Sequence, residues 1–371
     1  MAVASVDPQS VAAGPLTVQW RRVAAFIGLT FGLAWTYNLY MALTVGYGAN
    51  PALGLMLQGM MLIPAWSVLV LQVFVFADSP LHFRSKFTGL SAFAWFFLAY
   101  GLMFFALGIA SAQAASPTFL ATAGGVSQIL TVIGLIFVIV LQFVSPAKER
   151  YSLGWAFGPF KWYVLFALLL VVMYSLMTAL NYWLGLGEAV DAKAVVVKLA
   201  QQAGQSTSAV DQMSSPGFLA FTGFQTAIIT PLLALVITFG EEYGWRGFLQ
   251  GELIKMGKVK GIALVGLIWG VWHAPVIVMG HNYPGYPVAG VFLMIGYCVL
   301  LAFILGYAVL KSGSVFLAAY LHGVNNQTLS FLAMLVYKPY DPVFSLGAGL
   351  YGLVLMAIVV GLLLLDKDAW K

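Results

Sequence analysis

Residues 240–248 read Gly240-Glu-Glu-Tyr-Gly-Trp-Arg-Gly-Phe248, which places two adjacent carboxylates and an arginine within an apolar part of the chain. A charge in hydrocarbon costs at least a few kcal/mol, so ionisable side chains at membrane depth predict a functional site. In a helix, Arg246 shares a face with Glu242 at i,i+4 but not with Glu241. We therefore predict that Arg246 pairs with Glu242 to support the site, and that Glu241 is left free for chemistry.

The rest of the chain has the composition of a polytopic helical membrane protein. Of its 371 residues, 62% are hydrophobic and only 8% are charged, whereas soluble domains carry about 25% charged residues. The apolar runs approach the roughly 20 residues that a membrane-spanning helix needs, and they are too continuous for the strands of a β-barrel. We predict an all-α fold with about ten transmembrane helices, over 23–46, 52–77, 88–112, 124–145, 162–186, 217–239, 261–279, 288–310, 314–335 and 346–365.

The distribution of Lys and Arg predicts the orientation. With even-numbered spans ending at the cytoplasm, 13 of the 17 basic residues lie inside and only Lys193, Lys198 and Lys338 lie outside. Cytoplasmic loops carry such an excess of basic residues. We therefore predict that both termini are cytoplasmic and that the protein is a multi-pass component of the cell (plasma) membrane. Its charge of +5 belongs to these loops and predicts no nucleic-acid partner.

The predicted organisation has four parts. Residues 1–20 form a disordered cytoplasmic tail. Residues 21–216 form a membrane region of about five spans that ends in an extracytoplasmic loop, 187–216. Residues 217–335 form the catalytic membrane core, and residues 336–371 contribute the final span and a cytoplasmic tail.

The predicted spans also contain three polar side chains that are candidates for a site with Glu241, namely His273, His322 and Asn326. Counted from the nearest basic loop at about 1.5 Å per residue, Glu241, His273 and Asn326 lie about 20–22 Å deep and His322 about 16 Å deep. We expect one shared site, approached from the side of the basic loops. His281 lies in an outer loop, where we expect it to be solvated.

Three chemistries are open to such a cluster. Glu241, His273 and His322 could hold a catalytic zinc with water as fourth ligand. Alternatively, Glu241 takes a proton from a water that His273 orients, while His322 and Asn326 donate hydrogen bonds to the oxyanion. The cluster could also relay protons or ions in a transporter. No His-Glu-x-x-His occurs and no span centre holds an aspartate, which excludes zincin and aspartyl-protease chemistry.

Three motifs lie on successive predicted helices: Glu241-Glu242-x-x-x-Arg246, Trp269-x-x-x-His273 and His322-x-x-x-Asn326. In this order they resemble the motifs of the CAAX prenyl protease and bacteriocin-processing (CPBP, Abi) family. The resemblance implies an intramembrane glutamic endopeptidase in which Glu241 and His273 activate water and His322 and Asn326 stabilise the oxyanion. It favours catalysis without a metal or other cofactor over a zinc enzyme. Trp269 stands where the prenyl proteases typically have Phe, and the first four or five spans match nothing in the family.

The sequence therefore predicts a membrane-embedded protease that hydrolyses a peptide bond in a membrane-associated peptide or lipidated protein. A prenylated CAAX-type peptide is one substrate class that the resemblance allows. The alternative is a non-proteolytic transporter, or an immunity or binding protein, that uses the same buried polar cluster. Glu242, Arg246 and Trp269 are predicted to support the site in either case.

Overall fold

The structure, a computed structural model, describes residues 17–48, 50, 52–114, 116–202 and 210–371. Helices dominate these residues, and the two strands found among them are three residues long. The predicted all-α class of a polytopic membrane protein is confirmed. The predicted tail 1–20 falls largely outside the described residues, although Trp20 already begins the first helix.

The helices and strands follow the chain in one order. They are α1 (Trp20–Thr44), α2 (Ala52–Val70, continued by a π-helical turn Leu71–Val75), α3 (Gly89–Gln113), α4 (Pro117–Val144), α5 (Ala147–Ser152), α6 (Phe160–Trp183), β1 (Gly187–Ala189), α7 (Ala192–Gln202), α8 (Val210–Met213), α9 (Pro216–Phe224, followed by a π-helical turn Gln225–Ile229), α10 (Thr230–Leu233), α11 (Leu235–Glu242, followed by a π-helical segment Tyr243–Leu249), α12 (Gln250–Leu253, followed by a 3₁₀ turn Ile254–Met256), α13 (Lys258–Trp272), α14 (Ala274–Val278), α15 (Pro287–Ser312), α16 (Val315–Leu335), β2 (Tyr337–Pro339), α17 (Leu350–Leu363) and α18 (Lys367–Trp370).

Seven helical segments of the described chain are long and apolar enough to cross a membrane. They are Trp20–Thr44, Ala52–Val75, Gly89–Gln113, Pro117–Val144, Phe160–Trp183, Pro216–Leu233 and Pro287–Ser312. The other predicted spans correspond to α13 with α14, to α16 and to α17, which are shorter or more polar. The number ten stays a prediction.

The sixth predicted span, 217–239, is wrong at its end. The helix stops at Leu233, and a new helix begins at Leu235 after Ala234, whose ψ of 7° is not helical. Pro231 lies near the start of α10 and accounts for the irregular π-helical turn before it, because proline has no N–H to donate and crowds the preceding turn. The glutamate pair therefore ends a short helix, α11, and a π-helical segment follows it directly.

Contacts between loops sort the helix ends into two faces. On the face that carries most of the basic loops, called the basic face below, Arg22 pairs with Asp78, and Lys311 pairs with Asp366 at 2.8 Å. On the opposite face β1 pairs with β2 in antiparallel register, Gly187 facing Pro339. This alternation is the one that the orientation argument requires, and the charge bias predicts that the basic face is cytoplasmic.

Pairs of glycines four residues apart bring the helices that carry the polar motifs close to their neighbours. A Cβ on Gly240 would collide with the backbone of α2 at Met61, and one on Gly244 would collide with Pro64. Gly266 and Gly270 of α13 face the α15 backbone in the same way. Small residues at i,i+4 allow such close packing in membranes. The motif helices are thereby held at backbone contact.

Candidate active site

The side chains singled out from the sequence meet around one cavity of about 490 Å³. Glu241 reaches it from the end of α11, His273 from the junction of α13 and α14, and His322 and Asn326 from α16. Pro275 explains the junction, because the residue before a proline is disfavoured in a continuing helix. The predicted convergence of these side chains is therefore observed.

Trp269 links the two charged parts of the first motif. Its indole N–H donates a 2.8 Å hydrogen bond to Oε2 of Glu241. The guanidinium of Arg246 lies over its ring, 4.1 Å from the centroid, a geometry in which the cation attracts the face of the indole. Glu241 keeps its second oxygen, Oε1, for the cavity. A phenylalanine could stack on Arg246 but could not donate to Glu241.

Glu242 is fully buried and has two partners. Its Oε1 accepts hydrogen bonds from Nη1 of Arg246 at 3.0 Å and from Nδ1 of His322 at 2.8 Å. The pairing with Arg246 follows the i,i+4 spacing, whereas the contact with His322, 80 residues away, was not foreseen. The two adjacent glutamates thus differ: Glu242 binds two helices together, and Glu241 faces the cavity.

His273 is oriented by its own helix. Its Nδ1 lies 2.9 Å from the carbonyl oxygen of Trp269. Because a carbonyl only accepts, Nδ1 carries the proton in the neutral ring, and Nε2 presents a lone pair. In this tautomer His273 can accept a hydrogen bond from a water or take up its proton.

A network behind Asn326 was missed by the sequence reasoning. Hydroxyls of Tyr174 and Tyr297 donate to Oδ1 of Asn325 at 2.5 and 2.8 Å. Nδ2 of Asn325 in turn donates to Oδ1 of Asn326 at 2.9 Å. With its oxygen engaged, Asn326 has its amide N–H₂ left for the cavity. The position of Asn325 beside Asn326 was the available signal, while nothing in the sequence marks the two tyrosines.

The zinc alternative can be tested against the donor geometry. Within the described part of the chain, no group of three His, Cys, Asp or Glu side chains is arranged to hold a metal ion. The proposed set Glu241, His273 and His322 is not such a group.

The expected approach from the basic loops is wrong. The cavity leads from Glu241 to the loops at His281 and at Ser345, which lie on the face of β1 and β2. His281 is also not a freely solvated loop residue, because Nδ1 bonds the Tyr47 hydroxyl at 2.8 Å and the side chain lines the cavity. Counting residues along each helix predicted the depth of the site. It could not predict on which side of the helix bundle the cavity opens.

These features define a helical membrane protein with a polar, carboxylate-containing site enclosed by its helices. Residues 223–328 match the family described as type II CAAX prenyl endopeptidase Rce1-like. "CAAX prenyl protease 2" of Methanococcus maripaludis is 37% identical over 70 residues, which are 19% of this chain and 25% of that relative. The chain thus spans about a quarter of the length of the curated relative it matches.

No solved structure matches the chain. The family match contains all three motifs and lies within the predicted core, 217–335. The resemblance to the CAAX protease family that the motifs indicated is confirmed over residues 223–328, which match the family model.

Proposed function

We propose that this protein is an intramembrane endopeptidase that cleaves a peptide bond with a water activated between Glu241 and His273. The observation that supports this most is the inequality of the two glutamates. Glu242 accepts hydrogen bonds from Arg246 and His322 through Oε1 and does not line the cavity. Glu241 is buried, held by a single hydrogen bond from Trp269, and open to a cavity large enough for a short peptide segment.

The proposed reaction follows from these positions. Glu241 takes a proton from the water, and the oxygen of that water attacks the carbonyl carbon of the scissile bond. Asn326 donates from Nδ2 to the oxyanion, and His322, when it is an imidazolium beside Glu242, donates from Nε2. The proton on Glu241 then passes to the leaving nitrogen as the C–N bond breaks.

The test is Glu241→Gln, which is nearly isosteric and cannot act as a base. Purified protein in detergent is given apolar quenched-fluorescence peptides, and cleavage sites are read by mass spectrometry. A general base contributes about 10²–10⁴-fold to the rate, so we expect a loss of that size. Glu188→Gln, the same change on exposed β1, should cleave as wild type does. Wild-type rates in Glu241→Gln would contradict the proposal.

The non-proteolytic alternative predicts a different result. A binding or immunity protein tolerates Glu241→Gln and releases no peptide fragments. A transporter loses ion- or proton-dependent flux in that variant, again without fragments. Fragment release by wild type that disappears in Glu241→Gln therefore separates protease from transporter and binding protein.

We further propose that the enzyme works without a metal or other cofactor, in the cell membrane, on a membrane-associated peptide or lipidated protein. The first point is supported by the arrangement of the described His, Cys, Asp and Glu side chains, of which no three are placed to hold one ion. Cleavage should then persist after dialysis against a chelator such as EDTA or 1,10-phenanthroline. Loss of activity that added Zn²⁺ restores would contradict metal-free catalysis.

A further inference from the structure

The residues that line the site cavity come from one end of each long helix that forms it. From α6 it takes Tyr174, Met177 and Asn181, which lie in the last ten residues of that helix. From α2 it takes Leu57 and Met60, which lie in the first ten. Both of these helix ends reach the face that carries β1 and β2. The cavity therefore opens away from the basic face.

A second cavity, of about 380 Å³, opens at the basic face and does not reach the site. It is lined by Gln72, Tyr151 and Gly313 and ends at Arg246, without touching Glu241. The wall of this second cavity includes Arg246, which is paired with Glu242, and Tyr243, which donates a 3.0 Å hydrogen bond to Gln72. None of these side chains lines the site cavity, so the second cavity offers a peptide no continuous path to Glu241.

The wall of the site cavity carries almost no charge. Among the described residues that line it there is no Lys, Arg or Asp, and Glu241 is the one carboxylate. At its mouth, burial lowers the pKa of His281 to about 4, so this ring is uncharged at neutral pH. The inner wall is rich in thioethers and includes Met60, Met177 and Met294. Such a wall suits an apolar, adaptable segment.

A free C-terminus fits this wall poorly. In a CAAX peptide the terminal carboxylate follows the modified cysteine by three residues, a span of about 10 Å in an extended chain. Cleavage after that cysteine would put the carboxylate inside the cavity, where no Lys or Arg of the described lining can pair with it and where Glu241 is nearby. An unpaired charge in such surroundings is strongly disfavoured.

Building on the protease function proposed above, we propose the substrate class. The enzyme cleaves an uncharged apolar segment internally, in an exported or membrane-spanning peptide that enters from the extracytoplasmic face. It does not trim the free C-terminus of a cytoplasmic prenylated protein.

The side of entry is tested with two matched serines, each exposed and each lining one cavity: Ser330 at the site cavity and Ser152 at the second cavity. Each is changed to cysteine in a chain in which Cys298→Ala has removed the native thiol. A membrane-impermeant maleimide is then applied to intact cells. We expect labelling of S330C and not of S152C, and labelling of both after solubilisation. Labelling of S152C alone in intact cells would overturn the extracytoplasmic entry.

The chemistry of the substrate is tested on wild-type protein in detergent, where both faces are open. One peptide set carries an uncharged apolar segment that continues beyond the scissile bond and ends in an amide. A matched set ends in a free carboxylate three residues after that bond, with and without a prenylated cysteine. We expect kcat/KM at least tenfold higher for the amidated set.

The outcomes of the peptide assay separate the two proposals. Faster cleavage of the prenylated free-acid set would overturn the substrate assignment and leave the protease standing. Cleavage of neither set would overturn the protease and this assignment with it.

Discussion

The segment that matches the protease family and the helices that precede it contribute different things to the site. Residues 223–328 contain Glu241, Glu242 and Arg246, the buried Glu and Arg side chains of the described chain. The long helices before residue 184 bury no charged side chain among their described residues, yet α2 and α6 form part of the cavity wall. The comparison teaches that the buried charges come from one region, whereas both regions shape the cavity. A relative can share the first region and differ in what it cleaves.

The largest loss of stability is expected in the family-matched region, when its buried carboxylate loses its ion partner. Arg246→Ala leaves Glu242 without its guanidinium partner, and removing one member of a buried pair costs about 3–5 kcal/mol. We expect a large drop in melting temperature in detergent. The double variant Arg246→Met with Glu242→Gln should recover part of it.

Lys371→Ala is the control for that experiment, because it breaks an ion pair with Asp368 that is exposed on both sides. Exposed pairs contribute little, so its melting temperature should match wild type. An Arg246→Ala protein as stable as Lys371→Ala would show that Glu242 has no need of this arginine.

The next largest loss of stability is expected at the contact between the two regions, where α11 packs against α2. Gly240→Ala pushes a Cβ into backbone atoms of α2 at Met61 and Leu62, and overpacking of this kind costs about 1–3 kcal/mol. Gly251→Ala makes the same change where nothing lies within 4 Å, and it should be neutral or slightly stabilising. Equal melting temperatures for the two variants would contradict the close approach of α11 to α2.

A smaller effect, on the catalytic rate, is expected where a side chain of the preceding helices contacts the site. Tyr174→Phe removes one of two hydroxyls that hold Asn325, and a hydrogen bond of this kind contributes about 1 kcal/mol. That corresponds to about a fivefold lower kcat if the network positions Asn326. KM should change little, and Tyr297→Phe should behave alike.

The control for Tyr174→Phe is Tyr182→Phe, which is exposed on the same helix and should be silent. A change confined to KM in Tyr174→Phe would assign this tyrosine to substrate binding and not to the positioning of Asn326.

The smallest effect on stability is expected at Asp366, which lies near the C-terminus at the basic face. Hydrogen bonds from Lys311 and Tyr307 lower the pKa of Asp366 to about 2. Because the folded pKa lies below the unfolded value, the stabilisation is complete above about pH 4 and is lost as the pH falls towards 2. Asp366→Asn should melt slightly below wild type at pH 7, and the difference should vanish near pH 2. A constant difference over that range would contradict the pairing.

The sequence predicted the parts of the site that depend on spacing along one helix. The i,i+4 separation gave the pairing of Glu242 with Arg246, and counting residues from basic loops gave a common depth for Glu241 and His273. It did not predict the contact between Glu242 and His322, the Tyr174 network or the open face of the cavity. These depend on how helices far apart in the chain pack, and no periodicity within a single helix reports that packing.

The most direct measurement compares Glu241→Gln and Glu242→Gln in one preparation, by peptide cleavage and by melting temperature. We predict that Glu241→Gln loses at least a hundredfold in rate and melts close to wild type, because Trp269 can still donate to the amide oxygen. We predict that Glu242→Gln melts well below wild type, because Arg246 loses the carboxylate that pairs with it. Wild-type cleavage by Glu241→Gln, with activity lost in a fully stable Glu242→Gln, would contradict the assignment of Glu241 as the catalytic base.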